Sequence, residues 1–321
     1  MTKIGVAFGG GGARGLAHVG VLRALHKRRE YLPSLVAGTS AGSIVAALYA
    51  AGLSQEAIEE TTTNFDWFHD VINIADTVKH ALELKSGGLV SNEKLGRTIN
   101  NLLQGKSFKD LRTDLAVTAT DIEHQRRVIF TSPRVARRIK TRILSRFLPE
   151  ETHWKPGCST TVVSDFDDVG TAVRASCAIP GVFLPVEIGK MRLLDGGPID
   201  QVPVDVVKAM GADFTIGVSL SSTHLSDALA NVASVLSGMI SVMGIHQLRA
   251  SLDLADIGFQ ISGIEKRSFI DPKQPDLIDI GERDMEHWLR EMDKRLDLRL
   301  GLLPRLREKL TRLRKKRAGR E

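Results

Sequence analysis

The sequence predicts an α/β protein in which helices cover both faces of a largely parallel sheet. Short apolar runs typical of buried strands alternate along the chain with segments whose apolar residues recur at helical spacing. Such alternation gives parallel strands joined by crossover helices, so both faces of the sheet are buried. The 321 residues, 42% of them hydrophobic, can form a sizeable core in one large domain or two modest ones.

Two strand–turn–helix units open the chain. KIGVAF is a short apolar strand, the glycines of FGGGGARG form a turn, and apolar residues then recur at helical spacing from Leu16 to Leu25. PSLVAG is the second strand and AGSIVAALYAAG the second helix, whose small residues allow close packing on a sheet. Further apolar runs predict strands at residues 115–120, 128–131, 192–194 and 214–220.

The predicted main domain covers residues 1–281, and the remainder, 282–321, is predicted to form amphipathic helices interrupted at Gly301 and Pro304. Within the main domain, residues 133–168 form an irregular insertion with a basic helical part. This insertion is either a solvated excursion or a lid over a site, because long connections are often functional.

The formal charge of +6 is concentrated in the tail, where nine Lys and Arg residues lie between Arg305 and Arg320 against a single acidic residue, Glu308. The tail is a solvated charged helix, a contact with anionic membrane through residues 302–321, or a nucleic-acid contact. Nucleic acid is the least favoured of the three, because residues 299–321 contain no aromatic side chain for base stacking.

Two cysteines, Cys158 and Cys177, are too few for a disulfide framework and are predicted to be free thiols. The N-terminal residues lack the features of a secretory signal, and no apolar run is long enough to span a membrane. We therefore expect a cytoplasmic protein, in peripheral contact with the inner face of the membrane if the tail binds lipid.

The glycine turn allows more than one function. Gly10, Gly12 and Gly15 match the G-x-G-x-x-G pattern of dinucleotide sites, but the next strand, SLVAG, lacks the acidic residue that such a site needs for the ribose. A phosphate-binding P-loop is excluded because no Lys-Ser or Lys-Thr pair follows Gly15. A purely structural turn and an oxyanion site remain, since bare N–H groups at a helix N-terminus can stabilise a developing negative charge.

GTSAG, Gly38 to Gly42, is a G-x-S-x-G pattern between a predicted strand and a helix. A sharp strand-to-helix turn would present the Ser40 hydroxyl, and the flanking glycines would relieve the crowding in that turn. Consecutive parallel strands commonly lie side by side, so Ser40 and the glycine turn are expected at the same edge of one sheet.

A serine nucleophile needs a base, and Asp195 is the predicted one. RLLDGGPID ends a short strand with Asp195, and Gly196 and Gly197 then make an open turn at the predicted sheet edge. No histidine after Ser40 follows a strand end with turn-forming glycines, and His18 lies in the first predicted helix. Taken alone, Asp195 could equally be a turn former or a helix cap.

With GGGGARG, GTSAG and DGG in this order, the chain resembles the patatin-like phospholipase family, particularly its bacterial single-domain members. The resemblance runs from residue 4 to residue 220 and includes GLAHVGVLRAL, ALYAAGLS, TATD, AVRASCAIPGVFLPV and GADFTIGVSL. It implies a three-layer α/β/α fold with a Ser–Asp dyad, and hydrolysis of acyl esters, commonly of phospholipids or lysophospholipids, without a metal or cofactor.

Residue by residue, the resemblance places the nucleophile at Ser40, the base at Asp195 and the oxyanion hole at Gly10, Gly11 and Gly12. The supporting motif residues are Ala13, Arg14, Gly15, Gly38, Gly42, Gly196 and Gly197. The chain departs from the family pattern after the DGG motif, where GGPIDQVPVD replaces a frequent Asn near residues 199–200.

The expected function is therefore hydrolysis of fatty-acyl esters through a Ser40 acyl-enzyme, with a lipid or acyl ester as the partner. The alternative is a non-catalytic protein of the same fold that binds a membrane surface or another partner through its basic tail. An intact Ser40–Asp195 pair favours the enzyme, since a binding protein has no need of it.

Overall fold

A computed structural model of the chain describes residues 2–64, 90–143, 159–221, 247–264 and 274–300, with residues 242, 244 and 267 in addition; for 143 and 294–300 only the backbone is described. Nine strands of one sheet lie within these ranges. They are β1 Ile4–Phe8, β2 Leu35–Thr39, β3 Asp114–Asp121, β4 Arg126–Thr131, β5 Thr160–Val163, β6 Val186–Ile188, β7 Met191–Asp195, β8 Phe214–Ser219 and β9 Ile257–Gln260.

The strands follow the order β5-β4-β3-β2-β1-β8-β9, and β7 pairs with both β3 and β6. Neighbours from β3 through β9 along this path are parallel, as are β4 and β5. The pairs β3–β4, β3–β7 and β6–β7 are antiparallel. The predicted largely parallel sheet is confirmed, with antiparallel pairs where β3 meets β4 and β7 and where β6 meets β7.

Helices lie on both faces of this sheet. Their bounds are α1 Leu16–His26, α2 Ala41–Ala51, α3 Gln55–Thr63, α4 Glu93–Leu102, α5 Pro133–Ile143, α6 Val169–Ser176, α7 Val204–Met210 and α8 Asp276–Leu300. Alternate residues of β1 point to opposite sides, so Val6 and Phe8 join one apolar cluster and Ala7 joins another. The predicted three-layer α/β/α architecture is therefore confirmed.

The two apolar clusters divide the helices between the layers. The larger cluster contains the buried faces of α1, α2, α3, α4, α6 and α8. The smaller one contains those of α5 and α7, with Leu248. Because β1 and β2 carry apolar residues on both sides, they read in the sequence as continuous apolar runs rather than as alternating ones.

Three strands were not predicted: β5, β6 and β9. Each has only three or four residues, and β9 contains a glycine, so none gives an apolar run that stands out in the sequence. The described parts of the predicted insertion belong to the layers: α5 packs against α7, and β5 is an edge strand beside β4. Residues 144–158 lie outside the described residues. The interpretation of the insertion as a lid therefore stays a prediction.

The predicted boundary between residues 281 and 282 falls inside α8, which packs along α1. A Cβ atom on Gly20 would lie 1.8 Å from the Ile278 carbonyl oxygen, and one on Gly281 would lie 1.9 Å from that of Ala17. The two helix backbones can approach this closely only because both positions are glycine. The first part of the predicted C-terminal region is therefore docked on the main domain, and residues 301–321 lie outside the described residues.

No helix of the described residues combines the length and the apolar composition that crossing a membrane requires. Of the two cysteines predicted to be free, Cys177 is a buried free thiol, as predicted. Cys158 lies outside the described residues.

Candidate active site

The register of β1 and β2 places the glycine turn beside Ser40. The two strands are parallel, and Phe8, at the end of β1, pairs with Gly38 in β2. The chain therefore leaves both strands at the same edge of the sheet. A Cβ atom on Gly10 would lie 3.3 Å from the Ser40 Cβ, so the bare backbone of the turn allows the two loops to approach closely.

Ser40 occupies a strained turn between β2 and α2. Its backbone has φ 51° and ψ −127°, a conformation that side-chain-bearing residues rarely adopt. Cβ atoms on the flanking glycines would collide with backbone: at Gly38 with the Ser43 Cα at 2.5 Å, and at Gly42 with the Phe8 carbonyl oxygen at 2.3 Å. The sharpness of this turn explains why small residues flank Ser40 on both sides.

Two further serines hold the turn in place. The Ser40 N–H donates to the Ser176 hydroxyl at 2.8 Å, and the Ser43 hydroxyl donates to the Ser40 carbonyl at 2.6 Å. Ser176 is fully buried at the end of α6. These bonds to the Ser40 backbone offset the strain of the turn.

Asp195 reaches the same sheet edge from the opposite direction. On one side, β3 pairs with β2 as far as Thr118 and then with β7 from Ala119 to Asp121. On its other side, β3 pairs with β4. β7 therefore lies beyond the end of β2, in line with it, and runs back towards it. Its last residue, Asp195, pairs with Ala119, one position past the Thr39–Thr118 pair. Asp195 thus ends its strand next to the turn that carries Ser40.

The Asp195 carboxylate is buried, and burial raises its pKa from 3.8 to about 6 because the charged form loses hydration. Hydrogen bonds from the Gly197 N–H and the Ser40 side chain act in the opposite direction. The Gly197 N–H donates to Asp195 Oδ1 at 2.8 Å. A Cβ atom on Gly196 would lie 2.6 Å from the Thr118 carbonyl oxygen, so the DGG turn also depends on a bare backbone.

The glycine turn itself is held by Gln201. The Gly10 N–H donates to the Gln201 carbonyl at 3.1 Å, and Gln201 Nε2 donates back to the Gly10 carbonyl at 3.0 Å. The Gly10 N–H is therefore engaged and is not free to bind an oxyanion in this structure. Within the described part of the chain no acceptor bonds to the N–H groups of Gly11 and Gly12, which precede α1. They are the two loop donors available to a ligand.

The remaining residues of the GARG segment are buried and pack around these donors. Residues Gly12–Gly15 form a short 3₁₀ turn, in which Arg14 Nε donates to the Gly11 carbonyl at 3.4 Å and Ala13 is buried. A Cβ atom on Gly15 would lie 2.8 Å from the Ala41 Cβ, so this glycine lets the turn pack against the start of α2.

His18 supports the glycine turn from helix α1. It is completely buried, its Nε2 lies 2.8 Å from the Gly9 carbonyl oxygen, and burial lowers its pKa to about 4, so the ring is neutral and donates this bond. Its ring packs edge-on against Phe8. The sequence showed His18 on a helix but not this contact.

A partly buried ion-pair network holds the loop after Asp195. Arg127 binds Asp200 at 2.7 Å and Asp205 at 2.8 Å, and its pKa is raised further by these carboxylates. The Asp200 carbonyl accepts a hydrogen bond from the Thr39 hydroxyl at 2.7 Å. Sequence reasoning missed Arg127, Ser176 and Gln201, and only Gln201 carried a signal, since it follows the DGG motif by a few residues.

The geometry can be compared with known proteins. A family model described as patatin-like phospholipase matches residues 6–208, more than half of the chain.

The chain belongs to the patatin-like phospholipase family.

Relatives include an uncharacterized NTE family protein of Mycobacterium bovis, 27% identical over 261 residues that cover 79% of this chain and 60% of the relative. Patatin-like phospholipase domain-containing protein 6 of Mus musculus is 27% identical over 239 residues, 74% of this chain and 15% of the relative. The chain thus spans 60% or less of the length of these curated relatives. The crystal structure of VipD from Legionella pneumophila covers 90% of this chain and 67% of its own, with a TM-score of 0.47 and 15% identity.

Membership of the patatin-like phospholipase family supports a lipid hydrolase activity in general terms. The region that the family model matches contains both Ser40 and Asp195. The sheet brings these two residues together from positions far apart in the chain.

Proposed function

We propose that this protein is a serine esterase that hydrolyses fatty-acyl esters of phospholipids or lysophospholipids. One observation carries the proposal: a strained serine and a buried carboxylate meet at a sheet edge, next to two backbone N–H groups that have no acceptor among the described residues. A nucleophile, a base and oxyanion donors are the three parts that acyl transfer needs.

In the first half-reaction, the Ser40 hydroxyl attacks the ester carbonyl carbon as Asp195 accepts its proton. The tetrahedral oxyanion accepts hydrogen bonds from the N–H groups of Gly11 and Gly12. Asp195 then returns the proton to the departing alcohol oxygen, which leaves an acyl ester on Ser40.

In the second half-reaction, Asp195 accepts a proton from water as the water oxygen attacks the acyl carbon. The same donors stabilise the second oxyanion, and the proton returns to Ser40 as the fatty acid leaves. Burial favours this role of Asp195, because a carboxylate whose pKa lies near 6 is a stronger base than an exposed one.

The pH dependence of the reaction tests this role. We expect kcat/KM for p-nitrophenyl octanoate to rise about tenfold per pH unit below pH 6 and to level off above it, because Asp195 must be ionised to act as a base. With an exposed aspartate as the base, the rise of kcat/KM would level off near pH 4. Circular dichroism over the same pH range controls for unfolding. A rise that levels off at or below pH 4.5 in the folded protein would contradict the role of Asp195 as the base.

Gln201 offers a test of the oxyanion loop. Gln201→Ala removes the bond to the Gly10 carbonyl, so the loop donors lose their position and kcat is expected to fall about 100-fold with KM nearly unchanged. The matched control is Gln55→Ala, since Gln55 is also buried and donates to a backbone carbonyl, that of Val19, at 3.1 Å. Equal loss of activity in the two variants would show that Gln201 acts through general stability.

The role of the basic tail stays a prediction, because residues 302–321 lie outside the described residues. We propose that it brings the enzyme to the anionic surface of the membrane at the cytoplasmic side, where its lipid substrates lie. Co-sedimentation with phosphatidylglycerol vesicles should therefore be lost when residues 302–321 are removed, since each basic residue near such a surface contributes about 1 kcal/mol. Equal binding by the full and shortened chains would remove this role.

A further inference from the structure

One residue of the loop after the DGG motif bonds to both of the turns that carry the proposed nucleophile and base. The Asp200 N–H donates to the Gly196 carbonyl at 2.8 Å, and the Asp200 carbonyl accepts a hydrogen bond from the Thr39 hydroxyl at 2.7 Å. Gly196 follows Asp195 in the chain, and Thr39 precedes Ser40. The backbone of Asp200 therefore bonds to the direct neighbour of each member of the pair.

The side chain of Asp200 ties that backbone to the sheet. Asp200 Oδ2 accepts a hydrogen bond from Arg127 Nη1 at 2.7 Å, and only 4% of the Asp200 side chain is exposed. Arg127 belongs to β4, and its guanidinium also donates to both carboxylate oxygens of Asp205, at 3.0 and 2.8 Å, and to Thr160 of β5 at 3.3 Å. A planar guanidinium with this many partners has little freedom to move, so it holds Asp200 firmly.

This tie matters because the two turns come from strands that do not pair with each other. β2 leads to Ser40 and β7 ends at Asp195, and within the part of the chain that the structure describes β7 pairs with β3 and β6 but not with β2. No ladder of backbone hydrogen bonds between these two strands sets the separation of Ser40 and Asp195. Proton transfer between them needs a hydrogen-bond distance, and a misplacement of about 1 Å can cost about 100-fold in rate.

We propose that Asp200 is a positioning residue, which sets the separation of Ser40 and Asp195 by bonding to both turns while Arg127 anchors it to β4. The inference rests on the proposed esterase function, which makes that separation matter for a reaction. Asparagine, frequent near this place in the family, could accept the same bond from Arg127, though more weakly than a charged carboxylate does.

Removing the anchor tests the proposal. Asp200→Ala keeps the backbone groups of residue 200 but loses the bond to Arg127, so kcat for p-nitrophenyl octanoate is expected to fall about 100-fold with KM changed by less than about twofold. Asp200→Asn keeps an oxygen that can accept from Arg127, so it should recover at least about tenfold of that loss.

The matched control is Asp114→Ala. Asp114 is also a largely buried aspartate that pairs with arginines, Arg134 and Arg138, but it lies at the start of β3, at the sheet edge opposite to Ser40. Its kcat should equal that of the wild type. An equal fall of kcat in Asp200→Ala and Asp114→Ala would show that both act through general stability and would overturn the inference.

A second substitution cuts the link from the other side, in case Asp200→Ala does not fold. Thr39→Val removes the hydroxyl that donates to the Asp200 carbonyl, whereas Thr39→Ser keeps a hydroxyl at that position. We expect kcat to fall at least about tenfold in Thr39→Val and to recover in Thr39→Ser. Equal kcat in these two variants would also contradict the proposal.

Hydrogen–deuterium exchange separates this inference from the proposed function, because it does not depend on activity. In Asp200→Ala the amides of residues 38–43 and 195–199 should exchange at least about tenfold faster than in the wild type, while those of α1 keep their rate. If the wild type lacks esterase activity, the proposed function fails and the exchange rates alone decide whether Asp200 joins the two turns. Unchanged exchange in both turns would overturn the inference.

Discussion

Replacing Ser40 with alanine is expected to abolish the hydrolysis of p-nitrophenyl octanoate, with kcat/KM falling by about 10⁴-fold or more. The reason is chemical: alanine has no atom that can form the acyl intermediate, and water in its place lacks the alignment with the Gly11 and Gly12 donors. Steady-state rates of the purified variant and the wild type give the measurement.

The fold should survive this change. Ser40 contacts its neighbours mainly through its backbone, since its N–H and carbonyl make the bonds to Ser176 and Ser43. Ser34→Ala is a suitable control, because Ser34 is an exposed serine next to β2, the strand that leads to Ser40. Undiminished activity of Ser40→Ala in a correctly folded sample would refute the serine-esterase proposal.

Asp195→Asn is expected to reduce kcat by about 10⁴-fold, because the amide has nearly the shape of the carboxylate but cannot accept the Ser40 proton. The variant keeps an oxygen that can accept the Gly197 N–H, so the DGG turn is preserved. Asp167→Asn serves as the control, since Asp167 is an exposed carboxylate paired with Lys109. An Asp195→Asn enzyme as active as this control would exclude Asp195 as the base.

The same substitution should make the protein more stable at neutral pH. The pKa of Asp195 is raised on folding, so its contribution to stability is fully present below about pH 4 and is lost as the pH rises through about 6. Above that range the buried charge costs up to about 3 kcal/mol, and asparagine removes this cost. Urea unfolding at pH 4 and pH 7 should show the advantage of the variant growing with pH; an advantage independent of pH would mean that the carboxylate is not the cause.

Together the two substitutions distinguish catalysis from folding. One removes a nucleophile with little expected change in stability, whereas the other removes a base and relieves a buried charge. An ionised carboxylate in the interior lowers the stability of the folded protein. Such a loss of stability is expected at an active site and not at a structural turn.

Much of the fold could be predicted because the informative signals were local. β1 and β2 are continuous apolar runs buried on both faces, and glycine turns follow each of them directly. Neighbouring parallel strands share an edge, so the proximity of the Gly10 turn and Ser40 followed from chain order. Short strands such as β5 and β9 were missed because pairing with a neighbour, not their own composition, makes them strands.

The interactions that complete the site join residues far apart in the chain. Gln201 contacts Gly10, and Ser176 contacts Ser40, across separations of 191 and 136 residues. Nothing in the local pattern around Gln201 indicates that its carbonyl would engage the Gly10 N–H. The oxyanion donors that we propose therefore narrow from three glycines to Gly11 and Gly12 only when the two loops are seen together.

The sequence by itself determined the layered α/β fold, the glycine turn and the Ser40 turn, since each depends on residues that are adjacent in the chain. Only the tertiary structure decided how Asp195 reaches them: β7 runs antiparallel to β3, beyond the end of β2, and brings its last residue back to the sheet edge. The tertiary structure also decided the raised pKa of Asp195, because burial is a property of packed elements that no single segment encodes.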